Sequence, residues 1–159
     1  MASTMKKEHT FKFPVEQVYE VVTSSIIEQQ KARGTTKNLS YTQPIGTEFE
    51  YTYERMGQKL TARFKIDGFE NNKLFAYRLS AGSLDSLTTW EFSKIDAKTT
   101  KVLYTEEATS SNNWTNAQFS FFGWMKKRAF NKQAKAYFAA IENAIVHKYY
   151  NDESTSEEK

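Results

Sequence analysis

An α+β domain, with an antiparallel β-meander between two amphipathic helices, is the fold class that this chain of 159 residues predicts. Three observations carry that reading. In the middle of the chain apolar and polar residues alternate with a period of two, over segments joined by turns too short for a crossover. Two stretches, one towards each end, instead repeat their apolar residues every three or four positions. Cysteine is absent, and no apolar run approaches the roughly 18 residues of a membrane span, so an ordinary packed core has to hold the fold.

The elements follow in order. His9, Phe11 and Phe13 alternate with Thr10 and Lys12 and read as a first strand. Pro14 then suits the first turn of a helix, where its missing N–H would have no partner anyway. Val15, Val18, Tyr19, Val22 and Ile26 form one apolar stripe, with Glu16, Gln17, Glu20 and Thr23 around it, which predicts a helix ending near Lys31 to Gly34. Residues 35–44 are polar and irregular. Five strands are expected next: around Phe49, Tyr51 and Tyr53; around Leu60, Ala62, Phe64 and Ile66; then over residues 74–79, 87–95 and 101–109. Met56-Gly57, Asp67-Gly68, Ala81-Gly82-Ser83 and Asp96-Ala97-Lys98 mark the turns between them. Connections this short make neighbouring strands antiparallel. Acidic residues on the polar face of residues 49–54 fall opposite Arg63 and Lys65, pairs of a kind that helps to fix register. Over residues 123–148 Phe130, Ala134, Tyr137, Ile141, Ala144 and Ile145 form the stripe of a long last helix, with Arg128, Lys132, Lys135 and Glu142 on its far side. Residues 6–150 are expected to make the single domain. Residues 1–5 and the acidic stretch NDESTSEEK at 151–159 are expected to be disordered.

Composition narrows the chemistry. The lack of cysteine removes disulfides and thiolate sites, and the two histidines, His9 and His147, have no metal-ligand spacing. No cofactor or metal is expected, and neither a phosphate-binding glycine loop nor a GxSxG nucleophile turn occurs. Residues 1–12 lack the apolar stretch of a secretory signal, so a cytoplasmic protein is expected. Phe, Tyr and Trp total 24 against 20 for Val, Ile and Leu, which calls for a strongly aromatic core or a concave aromatic surface.

The order strand, helix, polar loop, meander and long final helix resembles the helix-grip arrangement of the START-like or Bet v 1-like superfamily. The carrying segments are HTFKFPVEQVYEVV near the start, the meander over residues 45–109, and FFGWMKKRAFNKQAKAYFAAIENAI. The opening and closing strings are similar to those of one family in it, small bacterial proteins classed as a domain of unknown function. The resemblance implies a curved antiparallel sheet of six to seven strands wrapped around the C-terminal helix. It also implies a ligand space between the two, faced by Phe49, Tyr51, Tyr53, Phe64, Ile66, Tyr77, Trp90, Phe92, Tyr104, Tyr137 and Ile141. Those side chains either line that space or meet and fill it. Wider superfamily members include carriers, polyketide cyclases and co-chaperones, so fold alone does not choose a function.

Single residues add little catalytic signal. Glu106 shares strand parity with Val102 and Tyr104, yet a glutamate near a strand end ordinarily reaches the solvated rim, and that placement is expected. Buried within hydrogen-bond reach of a tyrosine, it would favour acid–base chemistry instead. Arg78 is expected outside, because Phe75, Tyr77 and Leu79 take the inward parity. Trp114, Phe119, Phe121, Phe122 and Trp124 crowd together ahead of Lys126, Lys127 and Arg128. This segment fits an internal plug, a homodimer or partner surface, a gate over the pocket, or contact with lipid. Stable membrane insertion and nucleic-acid binding are not expected, since the bases form no extended stripe. The leading expectation is non-catalytic binding of a small apolar or amphipathic molecule. The alternatives are an interaction or co-chaperone-like module and a polyketide-cyclase-like enzyme.

Overall fold

A computed structural model describes residues 2–33, 35–37, 45–55, 57–81, 84–110 and 123–150. Strand β1 (Ala2–Phe11) leads into helix α1 (Val15–Arg33). Strands β2 (Thr35–Lys37), β3 (Glu48–Arg55), β4 (Gln58–Glu70), β5 (Leu74–Ala81), β6 (Leu84–Asp96) and β7 (Thr99–Ser110) follow. Helix α2 (Gly123–Ile145) comes last and ends in a π-helical turn, Val146–Tyr150. The strands form one seven-stranded antiparallel sheet in the order β1-β7-β6-β5-β4-β3-β2.

The meander forms as its alternation requires, with Glu50 opposite Arg63 and Glu48 opposite Lys65. Two stretches go further than their patterns. Residues 2–5, expected to be disordered, pair with residues 106–109 of β7, because an unfilled sheet edge offers hydrogen bonds to any polar backbone in register. Thr35–Lys37, expected to be irregular, adds a short strand to the opposite edge. The sheet bends where its ladder slips between Ile66 and Gly68, as an extra residue in one strand kinks that strand. A Cβ at Gly68 would lie 3.2 Å from the Ala76 Cβ and 3.3 Å from a Leu74 methyl, so glycine lets β4 and β5 close up at the bend.

Pro14 stands just before α1, and its carbonyl accepts from the amides of Gln17 and Val18. The buried face of α1 is wider than one stripe: Val21 and Ile27 join Val15, Val18, Tyr19 and Val22 in the core. Helix α2 lies on the same side of the sheet and packs against α1 and β1. Its anchor is Phe138, whose ring meets those of Phe11, Trp90 and Tyr104 edge-on, while Phe130 stacks on Tyr104 with centroids 5.4 Å apart. The inward row of α2 is therefore Phe130, Ala134 and Phe138, continuing to Ile145. Tyr137, read from the sequence as part of the buried stripe, is 42% exposed. Glu142, read as outward-facing, accepts from His9 Nε2 at 2.6 Å.

Candidate functional site

The bend of the sheet and the two helices leave a pocket of about 450 Å³ between them. Strand parity supplies one wall. Positions 86, 88 and 90 of β6, 77 and 79 of β5, and 104 and 106 of β7 alternate onto the helix side, so Ser86, Thr88, Trp90, Tyr77, Leu79, Tyr104 and Glu106 face the space, with Tyr51 and Phe64 beyond them. The other wall is made by Val22, Ser25, Ile26, Gln29 and Gln30 of α1 and by Gln133, Tyr137, Ala140, Ile141 and Ala144 of α2.

Seven of the residues expected to face the ligand space line this pocket: Tyr51, Phe64, Tyr77, Trp90, Tyr104, Tyr137 and Ile141. Three others pack into the core beside it. Phe49 meets Phe64 edge-on, Phe92 meets Tyr19, and Ile66 is fully buried. The side chain of Tyr53 lies outside the described residues, as do those of Trp114, Phe119, Phe121, Phe122 and Trp124. The sequence reading missed Gln30, although it sits four residues after Ile26 and eight after Val22, on the row that faces the pocket. A polar residue continuing an apolar row was the available signal.

Polar groups punctuate the aromatic walls. Tyr104 donates its hydroxyl to Glu106 Oε2 at 3.0 Å, so Glu106 is half-buried against the pocket instead of extended into rim solvent as expected. Burial pushes the Tyr104 phenol far above the usual range, and the neighbouring Tyr77 and Glu106 push it the same way, which keeps it a proton donor. Tyr77 rises to about 12 for the same first reason, burial, with the Trp90 N–H and the Thr88 hydroxyl pulling it back. Gln133 donates to the Tyr137 hydroxyl at 2.6 Å. Two buried polar atoms on these walls make no well-formed hydrogen bond among the described residues: Oε1 of Gln30, and the indole N–H of Trp90, which lies close to the Tyr77 oxygen without reaching hydrogen-bond geometry.

Away from the pocket, Arg78 faces outward and pairs with Asp67 at 3.4 Å and with Asp85 at 3.5 Å. His9 stacks on Phe138, with centroids 4.7 Å apart, and His147 is exposed. Among the described residues no cluster of histidine and carboxylate side chains could hold a metal ion. No helix among them is long and apolar enough to cross a membrane.

Solved structures with the same architecture place the fold. Ara h 8.0201 is similar at a TM-score of 0.60 and 14% identity, covering 93% of this chain and 100% of that one. TTHA0849 from Thermus thermophilus gives 0.59 and 14%, covering 92% and 99%. Norcoclaurine synthase from Thalictrum flavum, in complex with dopamine and hydroxybenzaldehyde, gives 0.58 and 10%, covering 93% and 88%. At such identities the likeness establishes a Bet v 1-like fold and no activity. No curated protein matches the sequence. A family profile described as "Domain of unknown function (DUF3284)" matches residues 5–126.

Proposed function

The chain belongs to the DUF3284 family, on a Bet v 1-like fold, and from that premise we propose that it binds a small amphipathic molecule between sheet and α2 without transforming it. One observation carries the reading: two buried polar atoms without a well-formed hydrogen bond, Trp90 Nε1 and Gln30 Oε1, both belong to pocket-lining residues. A buried donor or acceptor without a partner costs about 1–3 kcal/mol. A guest with an acceptor for the indole and a donor for the glutamine would remove both penalties at once. Rings of Phe64, Tyr77, Trp90 and Tyr104 supply the apolar contact that a flat or elongated body needs. That norcoclaurine synthase holds two small aromatic molecules on the same fold is consistent with this use of the space.

Titration with N-phenyl-1-naphthylamine, a neutral apolar fluorophore, tests the proposal. Saturable one-site enhancement is expected in the native protein, with loss of at least tenfold in affinity in Trp90→Ala, whose fold is checked by circular dichroism. Enhancement that never saturates, or that Trp90→Ala leaves intact, would refute it.

A second reading draws on the Tyr104–Glu106 hydrogen bond. A carboxylate oriented by a tyrosine in an apolar pocket can serve as a general base, as a cyclase-like enzyme would require. In that role Tyr104 positions the carboxylate and stays protonated, because burial holds its phenol so high. Turnover of a β-ketoacyl thioester, followed by mass spectrometry and abolished in Glu106→Gln, would favour this reading over simple binding.

A further inference from the structure

Glu106 is the one charged side chain among the described residues that line the pocket. Its strand places it opposite Thr88 on β6 and Met5 on β1, neither of which is charged. A carboxylate has about four acceptor positions, and Tyr104 is its hydrogen-bond partner among the described residues. Lys7 sits on the neighbouring strand opposite Tyr104 but makes no ion pair with Glu106 among the described residues. Glu107, next in sequence, is exposed.

The surrounding rings favour the same sign of guest. Trp90 and Tyr104 lie with centroids 4.7 Å apart and planes tilted by 48°, and Tyr104 and Tyr137 stand 6.3 Å apart at 87°, so three rings at different tilts gather beside the carboxylate. The faces of such rings are the negative parts of their quadrupoles and attract a cation lying within about 6 Å. The protein as a whole is basic, at +3, but salt screens charges farther off than about 10 Å, so the local carboxylate governs the pocket. A guest without a hydrogen-bond donor strips water from Glu106 and returns nothing, and a neutral donor returns only the weaker, uncharged hydrogen bond. An anion adds repulsion to that cost, whereas an ammonium group replaces the lost water with a charge-assisted hydrogen bond.

Resting on the pocket reading above, we infer that the molecule bound is an organic cation, a protonated amine on a flat apolar body. Its ammonium group meets Glu106 between the rings of Trp90, Tyr104 and Tyr137, and its body extends towards Phe64.

The test uses three naphthalene compounds of matched size and different charge: 2-(1-naphthyl)ethylamine, 2-(1-naphthyl)ethanol and 1-naphthylacetate. Each displaces N-phenyl-1-naphthylamine from the full chain at pH 7 and low salt. The amine is expected to bind about tenfold more tightly than the alcohol, and the carboxylate most weakly. In Glu106→Gln the preference for amine over alcohol should fall to within about twofold. Equal affinity of amine and alcohol in the native protein, or a preference that survives Glu106→Gln, overturns the cationic guest and leaves the pocket reading standing. The native series decides the question even if the variant misfolds. Failure of the fluorophore and of all three compounds to bind would bring down both readings.

Discussion

The two ends of the space between sheet and helices share an aromatic vocabulary and come out opposite. Around Phe11 the space is closed: Phe11, Val18, Tyr19, Phe92, Val102 and Ile145 are all buried, and Tyr19 meets the rings of Phe69 and Phe92 edge-on. Around Trp90 it is open, and a pocket of about 450 Å³ remains. The sheet supplies rings at both ends, so the difference lies in the helices. Facing the closed end they present Val15, Val18, Tyr19 and Ile145. Facing the open end they present Ser25, Gln29, Gln30, Ala140 and Ala144 among Val22, Ile26, Tyr137 and Ile141, and these small or polar members leave the space between the rings unfilled. Phenols follow the same division. Tyr19 donates to the backbone carbonyl of Leu74 at 3.0 Å, a purely structural bond, whereas Tyr104 donates to a carboxylate beside the pocket. A pocket here is a mismatch between helix and sheet, and composition alone does not reveal it.

Substitution at the boundary between the two ends should produce the largest effect. Phe138 touches Phe11 on one side and Trp90 and Tyr104 on the other. Phe138→Ala is expected to cost about 3–5 kcal/mol, read as a lower urea midpoint with an unchanged slope. A loss below about 1 kcal/mol would mean that the closed end does not depend on α2.

Enlarging a side chain at each end sharpens the contrast. Val18→Phe, in the filled region, should cost about 1–3 kcal/mol through overpacking. Ala144→Leu, on the pocket wall, should shift stability by less than about 1 kcal/mol while abolishing binding of N-phenyl-1-naphthylamine. Equal destabilisation by both would show that the open end has no room to spare. Trp90→Phe gives a subtler effect. It keeps an aromatic plate and deletes an N–H that makes no well-formed hydrogen bond. The free protein should therefore lose less than a Trp→Ala change does, and the guest's acceptor should lose its partner, weakening binding by about 1 kcal/mol, the net worth of one hydrogen bond.

Much of this division was readable in the sequence, but unevenly. A period of two forces alternate residues onto one face, so Tyr77, Trp90 and Tyr104 could be placed together without coordinates. Helix α2 defeated the same approach because its apolar residues are broad enough for two rows. One row runs Phe130, Ala134, Phe138 and the other Tyr137, Ile141, Ala144, and only packing against the sheet decides which is deepest. Gln30 is marked in the sequence only by its place, a polar side chain continuing the apolar row of Val22 and Ile26. Residues 2–5 carry no alternation, and it is the register with β7 that recruits them into the sheet.

The smallest expected effect lies at the closed end, where the last turn fastens onto α1. Tyr149 and Lys148 both donate to Glu20, and Tyr150 donates to Gln17 at 2.9 Å. The hydrogen bond from Tyr149, and then that from Lys148, holds the Glu20 carboxyl below its ordinary value of 4.5. Burial and Glu20 together raise the Tyr149 phenol to about 12, so it remains a donor throughout the neutral range. Because the folded carboxyl is the stronger acid, its contribution is fully present above pH 4.5 and is lost as pH falls through the lower folded value. The group is largely exposed to solvent, so screening limits the latch to the ~0.2–1 kcal/mol of surface ion pairs. Glu20→Gln should remove that amount at pH 7 and flatten the corresponding part of the stability–pH curve below 4.5. It should leave binding in the pocket unchanged, because the closed end and the open end share a helix but not a guest. Weakened binding in Glu20→Gln would mean that the two ends are coupled through α1, and the division between them would have to be redrawn.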